Sequence, residues 1–130
     1  MIGIEQMKKL PRRAERKKTL YRLYQELLAS VPGVEFLPTD LHDTAPWFMD
    51  ILVEPEARDP LAHHMKEQGV GTRPFYPATH TQAPFAHVDG QFPAAVACSR
   101  RGLWLPSSPR LADDEVGYVC QAISDYFASS

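Results

Sequence analysis

Apolar residues recur at helical spacing over the first thirty positions. Leu10, Ala14, Tyr21, Tyr24 and Leu28 fall on one row with gaps of three, four or seven, and Leu20, Leu23 and Leu27 widen it. The pattern predicts a long amphipathic helix, with Pro11 tolerated in its first turn and an apolar stripe that needs a surface to pack on. Ser30-Val31-Pro32-Gly33 stops it, because Pro cannot continue a helix and Gly suits a turn. Val34 to Leu37 predicts a short strand ending at Pro38. From Trp47 to Glu54 the pattern alternates: Trp47, Met49, Ile51 and Val53 form one wholly apolar side, and Phe48, Asp50, Leu52 and Glu54 a mixed one. This predicts a strand closed by Pro55, with both tryptophans (Trp47 and Trp104) in the core.

Asp59-Pro60 has the form of a helix start, Asp as cap and Pro at the first helical position, with the helix running to Gly69. Residues 71–76 then read as extended, since Pro74 and Pro77 push Arg73 and Tyr76 away from helical backbone. Alternation along that segment puts Arg73 and Phe75 on one face and Tyr76 on the other. Residues 77–91 form a loop too long for a tight connection. Pro93 opens a small helix that Gly102 closes, and Leu103-Trp104-Leu105 is a three-residue strand. Val116, Val119, Cys120, Ile123 and Phe127 stripe a last helix, with Asp113 its expected cap. The order helix, strand, strand, helix, strand, helix, strand, helix predicts an α+β fold. It is a small two-layer domain, with a short, mainly antiparallel sheet and helices packed on one face.

The chain has 130 residues, 44% of them hydrophobic and 23% charged. That composition excludes wholesale disorder and suits one domain spanning residues 1–130. No apolar run approaches the roughly 18–20 residues that span a bilayer, and the N-terminus lacks the layout of a secretory signal. Two cysteines make neither a disulfide framework nor a four-thiolate zinc site, so the expectation is a cytoplasmic protein with buried, unreactive thiols at Cys98 and Cys120. Residues 1–30 hold eight Lys/Arg against three Glu, although the whole chain carries −2. A basic helix of this kind has the charge of a nucleic-acid arm, but aromatic residues do not interleave with it as a stacking platform requires. It reads as a solvated helix face, with no nucleic-acid or membrane partner. The adjacent His63 and His64 point about 100° apart on a helix and are poor co-ligands for a metal. His80, His87 and Asp89 share a loop but form no recognisable metal motif.

The chemistry concentrates in residues 69–85, GVGTRPFYPATHTQAPF. Arg73 offers a planar fork of donors suited to phosphate or carboxylate, and Tyr76, His80 and Gln82 can exchange hydrogen bonds with hydroxyls. The prolines limit the entropy lost on ordering. The inventory suits a polar ligand such as a sugar nucleotide. Equally, it suits a plain loop in which Arg73 pairs with an acid and His80 bonds backbone.

The chain also resembles, over nearly its whole length, the C-terminal domain of the DegT-type nucleotide-sugar aminotransferases, nearest to perosamine-synthase-like members. The resemblance is carried by the G-x-x-Q-M-x-K-L opening from Gly3 to Leu10, the RRAERKKTLYRLYQELL helix and the P-G-V strand entry at Pro32. It continues through the tryptophan strand, the RDPLAHHMKEQGVGTRPFYP unit, the H-T-Q-A-P-F turn, the LWLP strand and the ADDEVGYVCQAI helix. It implies the small domain of a fold-type-I pyridoxal-phosphate enzyme, which moves an amino group, usually from glutamate, onto a nucleotide-linked keto-sugar. In that family the Schiff-base lysine and the cofactor-binding residues lie in a large domain before this segment. No pyridoxal phosphate and no catalytic residue are therefore expected on this chain alone. Arg73, Tyr76, His80 and Gln82 are the implied substrate-facing residues. Phe75 stands where many relatives have histidine. A separate large-domain chain and self-association are the implied partners. The alternative is a stand-alone binding or interaction module that keeps the fold without the chemistry.

Overall fold

The computed structural model describes residues 2–85, 87, 88 and 90–129. Four helices are α1 (Ile2–Leu28), α2 (Pro55–Glu67), α3 (Pro93–Arg101) and α4 (Asp113–Ser129). Four strands are β1 (Glu35–Phe36), β2 (Met49–Leu52), β3 (Arg73–Pro74) and β4 (Gly102–Leu105). The strands form one antiparallel sheet in the order β1-β2-β4-β3, so β4 is inserted between strands that precede it in the chain. Partners across an antiparallel ladder share a face. Met49 pairs with Leu105 and Ile51 with Leu103, and all four are buried. They meet Leu20, Tyr21, Tyr24 and Leu28 of α1, Leu61 and Met65 of α2, and Val116, Val119, Cys120 and Ile123 of α4. This is the α+β two-layer arrangement that the alternation of β2 and the stripes of α1 and α4 predict. No helix among the described residues is long and apolar enough to cross a membrane.

Two helix starts differ from the sequence reading. α1 begins at Ile2 and carries Pro11 in its interior. Its leading turns are exposed, and Glu5 and Lys8 support them with an i,i+3 ion pair of 2.6 Å. α2 begins at Pro55, a turn before Asp59-Pro60. Pro55 takes the first helical position, and the amides of Ala57 and Arg58 both donate to the Glu54 carbonyl. Asp59 caps nothing. It accepts from Arg58 Nε at 2.8 Å, and that bond holds its carboxyl below the ordinary carboxylate range. Nor does Asp113 cap α4, since it accepts from Arg16 at 2.7 Å. The start of α4 is instead tied by Glu115, whose carboxylate accepts the Ala112 amide at 2.8 Å.

Lys8, Lys9, Arg12, Arg13 and Arg22 of the basic face of α1 are exposed, but three of its cations are fastened down. Arg16 donates to the Leu111 carbonyl as well as to Asp113, Lys17 Nζ to the carbonyls of Trp47 and Ser107, and Lys18 Nζ to the carbonyl of His42. The buried tyrosines of α1 each place a hydroxyl at the rim. Tyr21 donates to the Leu37 carbonyl at 2.8 Å and Tyr24 to the Pro106 carbonyl at 2.9 Å. Burial pushes the Tyr24 phenol well up from its usual range. Buried hydroxyls with satisfied bonds fix the register of α1 against the sheet.

Candidate functional site

The sheet face turned away from the helices carries the candidate site. Asp50, Trp104 and Arg73 lie in one row across β2, β4 and β3. Trp104 is its centre: Phe48 stacks on it at 4.3 Å, Phe75 lies tilted at 5.1 Å, and Tyr76 meets it edge-on at 4.9 Å. Trp104 is thus half-buried in an outer aromatic cluster, not in the core, and Trp47 is 80% exposed. β2 begins only at Met49, so the alternation that would turn Trp47 inward does not reach it.

Gly102 makes this cluster possible. Its backbone is ordinarily extended, so it is not needed for conformational freedom. It is needed for space, because a Cβ there would overlap the Phe75 ring. The Phe75 amide donates to the Gly102 carbonyl at 3.0 Å and holds the ring over that position. β3 ends at Pro74, and past it the chain turns so that Tyr76 comes back to the same side. The Arg73 guanidinium lies over the Tyr76 ring at 4.9 Å, a cation–π contact, instead of pointing to the opposite face from it. Arg73 has no acidic partner among the described residues, so its donors remain open to a ligand anion.

Beneath this cluster Asp50 is partly buried, and its Oδ1 has no hydrogen-bond partner. Burial raises its carboxyl above the ordinary value, while a hydrogen bond with Trp104 and the charge of Lys17 act in the opposite direction. Burial lowers the Lys17 ammonium, and Asp50 partly restores it.

The loop after Pro77 contains two 3₁₀ turns, Thr79–Thr81 and Ala83–Phe85. Gln82 is turned to the loop's own backbone, with Nε2 donating to the Pro77 carbonyl at 3.3 Å. The His80 ring lies tilted against Phe92 at 4.8 Å and faces a cleft of about 590 Å³ that it shares with Pro55, Val96, Arg100 and Arg101. Arg73 and Tyr76 do not line that cleft. The structure therefore brings Arg73 and Tyr76 together, sets His80 apart beside α3, and uses Gln82 to brace the loop. Asp50, Trp104 and Arg100 are site residues that the sequence reading missed. The basic pair that ends α3 was the available signal for Arg100. Asp50 and Trp104 become visible as neighbours only through the β2–β4 register.

Among other reactive groups, Cys120 is buried and its thiol is pushed up to about 12, whereas Cys98 is half-buried. His63 faces Glu67, and His64 Nε2 lies 3.1 Å from the Ala122 carbonyl, so the two rings address different neighbours. Asp89 lies outside the described residues. Of the lysines, Lys8 is paired with Glu5, Lys17 and Lys18 donate to carbonyls, Lys9 lies on the exposed side of α1, and Lys66 borders a shallow hollow with His63 and Thr72.

Comparison with known proteins agrees with this fold. The DegT/DnrJ/EryC1/StrS aminotransferase family profile matches residues 1–124. The dTDP-4-dehydro-2,3,6-trideoxy-D-glucose 4-aminotransferase of Saccharopolyspora spinosa is 38% identical over 120 residues, which are 91% of this chain and 31% of that protein. The GDP-perosamine synthase of Vibrio cholerae is 28% identical over 97% of this chain and 36% of its own. The crystal structure of the aminotransferase TlmJ from Streptoalloteichus hindustanus superposes with a TM-score of 0.89 at 25% identity, covering 98% of this chain and 35% of that one. Spanning about a third of the length of these relatives, the chain belongs to the DegT/DnrJ/EryC1/StrS aminotransferase family.

Proposed function

We propose that this chain is the substrate-facing small domain of a pyridoxal-phosphate-dependent nucleotide-sugar aminotransferase, equivalent to the C-terminal part of the longer relatives. The observation that carries the reading is the pairing of Arg73, on the edge strand β3, with Tyr76 just beyond it against Trp104, with no acidic partner for the guanidinium among the described residues. Such a fork binds a substrate phosphate or carboxylate in two-point fashion. His80 and Arg100 supply further donors from the neighbouring cleft.

The cofactor belongs to another domain. A Schiff-base lysine needs an amine open to a cleft, with groups around it that tune the cofactor. Lys17, whose ammonium burial lowers, donates to two carbonyls, and the hollow beside Lys66 has no acid or arginine among its lining residues to hold a cofactor's ring nitrogen or phosphate. Cofactor binding, amino transfer from glutamate and keto-sugar recognition are thus assigned to an assembly of this domain with a large domain, in one chain or two. Ile4 and Met7 on α1 and Phe85, Val88 and Phe92 beside the loop are exposed apolar residues that favour association with that domain or with a second copy.

The test is reconstitution. The large domain of a relative is combined with this chain as a separate polypeptide, and in fusions with this chain behind or ahead of it. Transamination of a nucleotide-linked keto-sugar with glutamate is expected for the separate pair or for the fusion with this chain behind, with Arg73→Ala reducing turnover. The isolated chain is expected to give no dialysis-resistant aldimine absorbance. Activity only in the reverse fusion would overturn the C-terminal placement. An aldimine band with turnover from the isolated chain would overturn the division of labour. Inactivity in every arrangement would leave the interaction module as the better reading.

A further inference from the structure

Lys9, Arg12, Arg13 and Arg16 of α1 are spaced i, i+3, i+4, i+7 and share one helix face. Like charges at that spacing repel one another. Arg110, from the connection between β4 and α4, joins them around a groove of about 560 Å³. Of the five cations, only Arg16 has an acidic partner among the described residues, and that is Asp113 of α4. The rest of the lining is Ser108 and Pro109. The groove is therefore almost wholly charged, whereas a small-molecule pocket is lined mainly by apolar and aromatic side chains. With no such walls, its attraction for a free anion is weakened by salt.

Ser108 supplies the hydroxyl of this groove, and it is exposed. Its Oγ accepts the Arg110 amide at 3.2 Å, and its carbonyl accepts the Leu111 amide at 3.0 Å. Ser108-Pro109-Arg110-Leu111 is thus a turn with the serine at its first position. The turn is pinned on both sides to α1, by Lys17 on the Ser107 carbonyl and by Arg16 on the Leu111 carbonyl. These bonds hold the serine beside cations that themselves ride on a helix. A group carried on Oγ does not have to find the groove, because it starts there.

We propose that Ser108 is a phosphorylation site and that the groove receives its phosphate. A serine kinase supplies the phosphoryl group from a nucleoside triphosphate. Ser108 Oγ forms a bond to the γ-phosphorus, and the bond from that phosphorus to the β–γ bridging oxygen breaks. The nucleoside diphosphate leaves, and the hydroxyl proton passes to a base of the kinase. The product carries close to two negative charges and three acceptor oxygens. Arg12, Arg13 and Arg110 offer planar forks to those oxygens and Lys9 a point charge, while Arg16 keeps Asp113 occupied. Tethering supplies the effective concentration that a free anion lacks. Modification balances a cluster of unpaired cations and locks the β4–α4 connection to α1. The inference goes beyond the aminotransferase reading and does not rest on it, since none of the residues used belongs to the loop at 73–82.

The experiment installs phosphoserine by genetic encoding at position 108 of the full chain and, as a control, at the exposed Ser30 just past the far end of α1. Phosphorus NMR follows the titration of each phosphate. At Ser30 the second pKa is expected near its ordinary value of about 6, and at Ser108 at least about one unit lower, because cations favour the dianion. Arg12→Glu/Arg13→Glu should return the Ser108 phosphate to the ordinary value, and Arg110→Ala should return it part of the way. These side chains are exposed, and unchanged circular dichroism checks that the variants fold. The urea midpoint should rise on phosphorylation of Ser108, and the rise should shrink in about 1 M salt. Inorganic phosphate should not saturate the unmodified chain below about 1 mM. In chain recovered from the cells that make it, mass spectrometry of the tryptic peptide GLWLPSSPR, residues 102–110, should place a phosphate on Ser108. An unshifted titration at Ser108, an equal shift at Ser30 or in the charge-reversed variant, saturation by inorganic phosphate below about 1 mM, or a peptide unmodified at Ser108 would each overturn the proposal.

Discussion

Replacing Gly102 by Ala sets two effects against each other. Gly102 sits in β4 with extended backbone, so in an open strand the change would stabilise by about 0.5–1 kcal/mol through lost chain entropy. Here the added methyl would fall inside the Phe75 ring. The collision is at the ring's Cγ, near the backbone, and small rotations do not relieve it. Phe75 must leave its place, surrendering its contact with Trp104 and straining its amide bond to Gly102. Overpacking of this kind costs about 1–3 kcal/mol. The clash therefore wins, and Gly102→Ala should destabilise by about 1–2 kcal/mol net. With Phe75 already replaced by Ala the obstacle is gone, and the same Gly102→Ala change should be neutral or stabilising. Urea unfolding followed by tryptophan fluorescence measures all four members of the cycle, with Trp104 reporting directly on the site. A loss below about 0.5 kcal/mol in the single variant, additive with Phe75→Ala, would refute the account.

Arg73→Ala should alter the stability of the isolated domain by no more than about 0.5 kcal/mol, because the side chain is exposed and has no ion pair among the described residues; urea midpoints check this. Asp50 takes up its proton at a higher pH in the folded state than in the unfolded chain. Its favourable contribution is therefore full below the unfolded pKa and lost as pH rises through the raised folded value. Asp50→Asn should remove that loss, so the variant gains on the wild type at neutral pH and the gain vanishes in acid; denaturant midpoints across pH would show otherwise if burial is not the dominant influence. A maleimide at neutral pH should modify Cys98 in the native protein and Cys120 only after unfolding, as mass spectrometry of quenched samples would show.

Local periodicity made the core legible in advance. Met49, Ile51, Val53, Val116, Val119 and Ile123 are all placed by spacing alone, and all are buried. Proline positions were less informative. Pro55 and Pro60 each permit a helix start, and the choice fell to Pro55, where the Glu54 carbonyl can receive two amides. The site was half legible. Arg73, Tyr76, His80 and Gln82 stood out by residue type, but which of them meet depends on the turn after Pro74 and on the packing of Phe92, neither of which is a local property. Trp104 and Asp50 became partners through pairing between strands some fifty residues apart, a distance at which sequence spacing carries no signal.

The central position of β4 also governs the order in which the domain can form. β1 and β2 pair early, being near neighbours in the chain. β3 has only β4 to pair with, and β2 keeps one bare edge until residues 102–105 arrive. A nascent chain halted before residue 102 therefore carries an apolar strand edge open to other chains. It has no means of ordering Arg73 in register. Emerging vectorially, the domain can order Arg73 only once β4 has arrived, in the same step that covers the bare edge of β2.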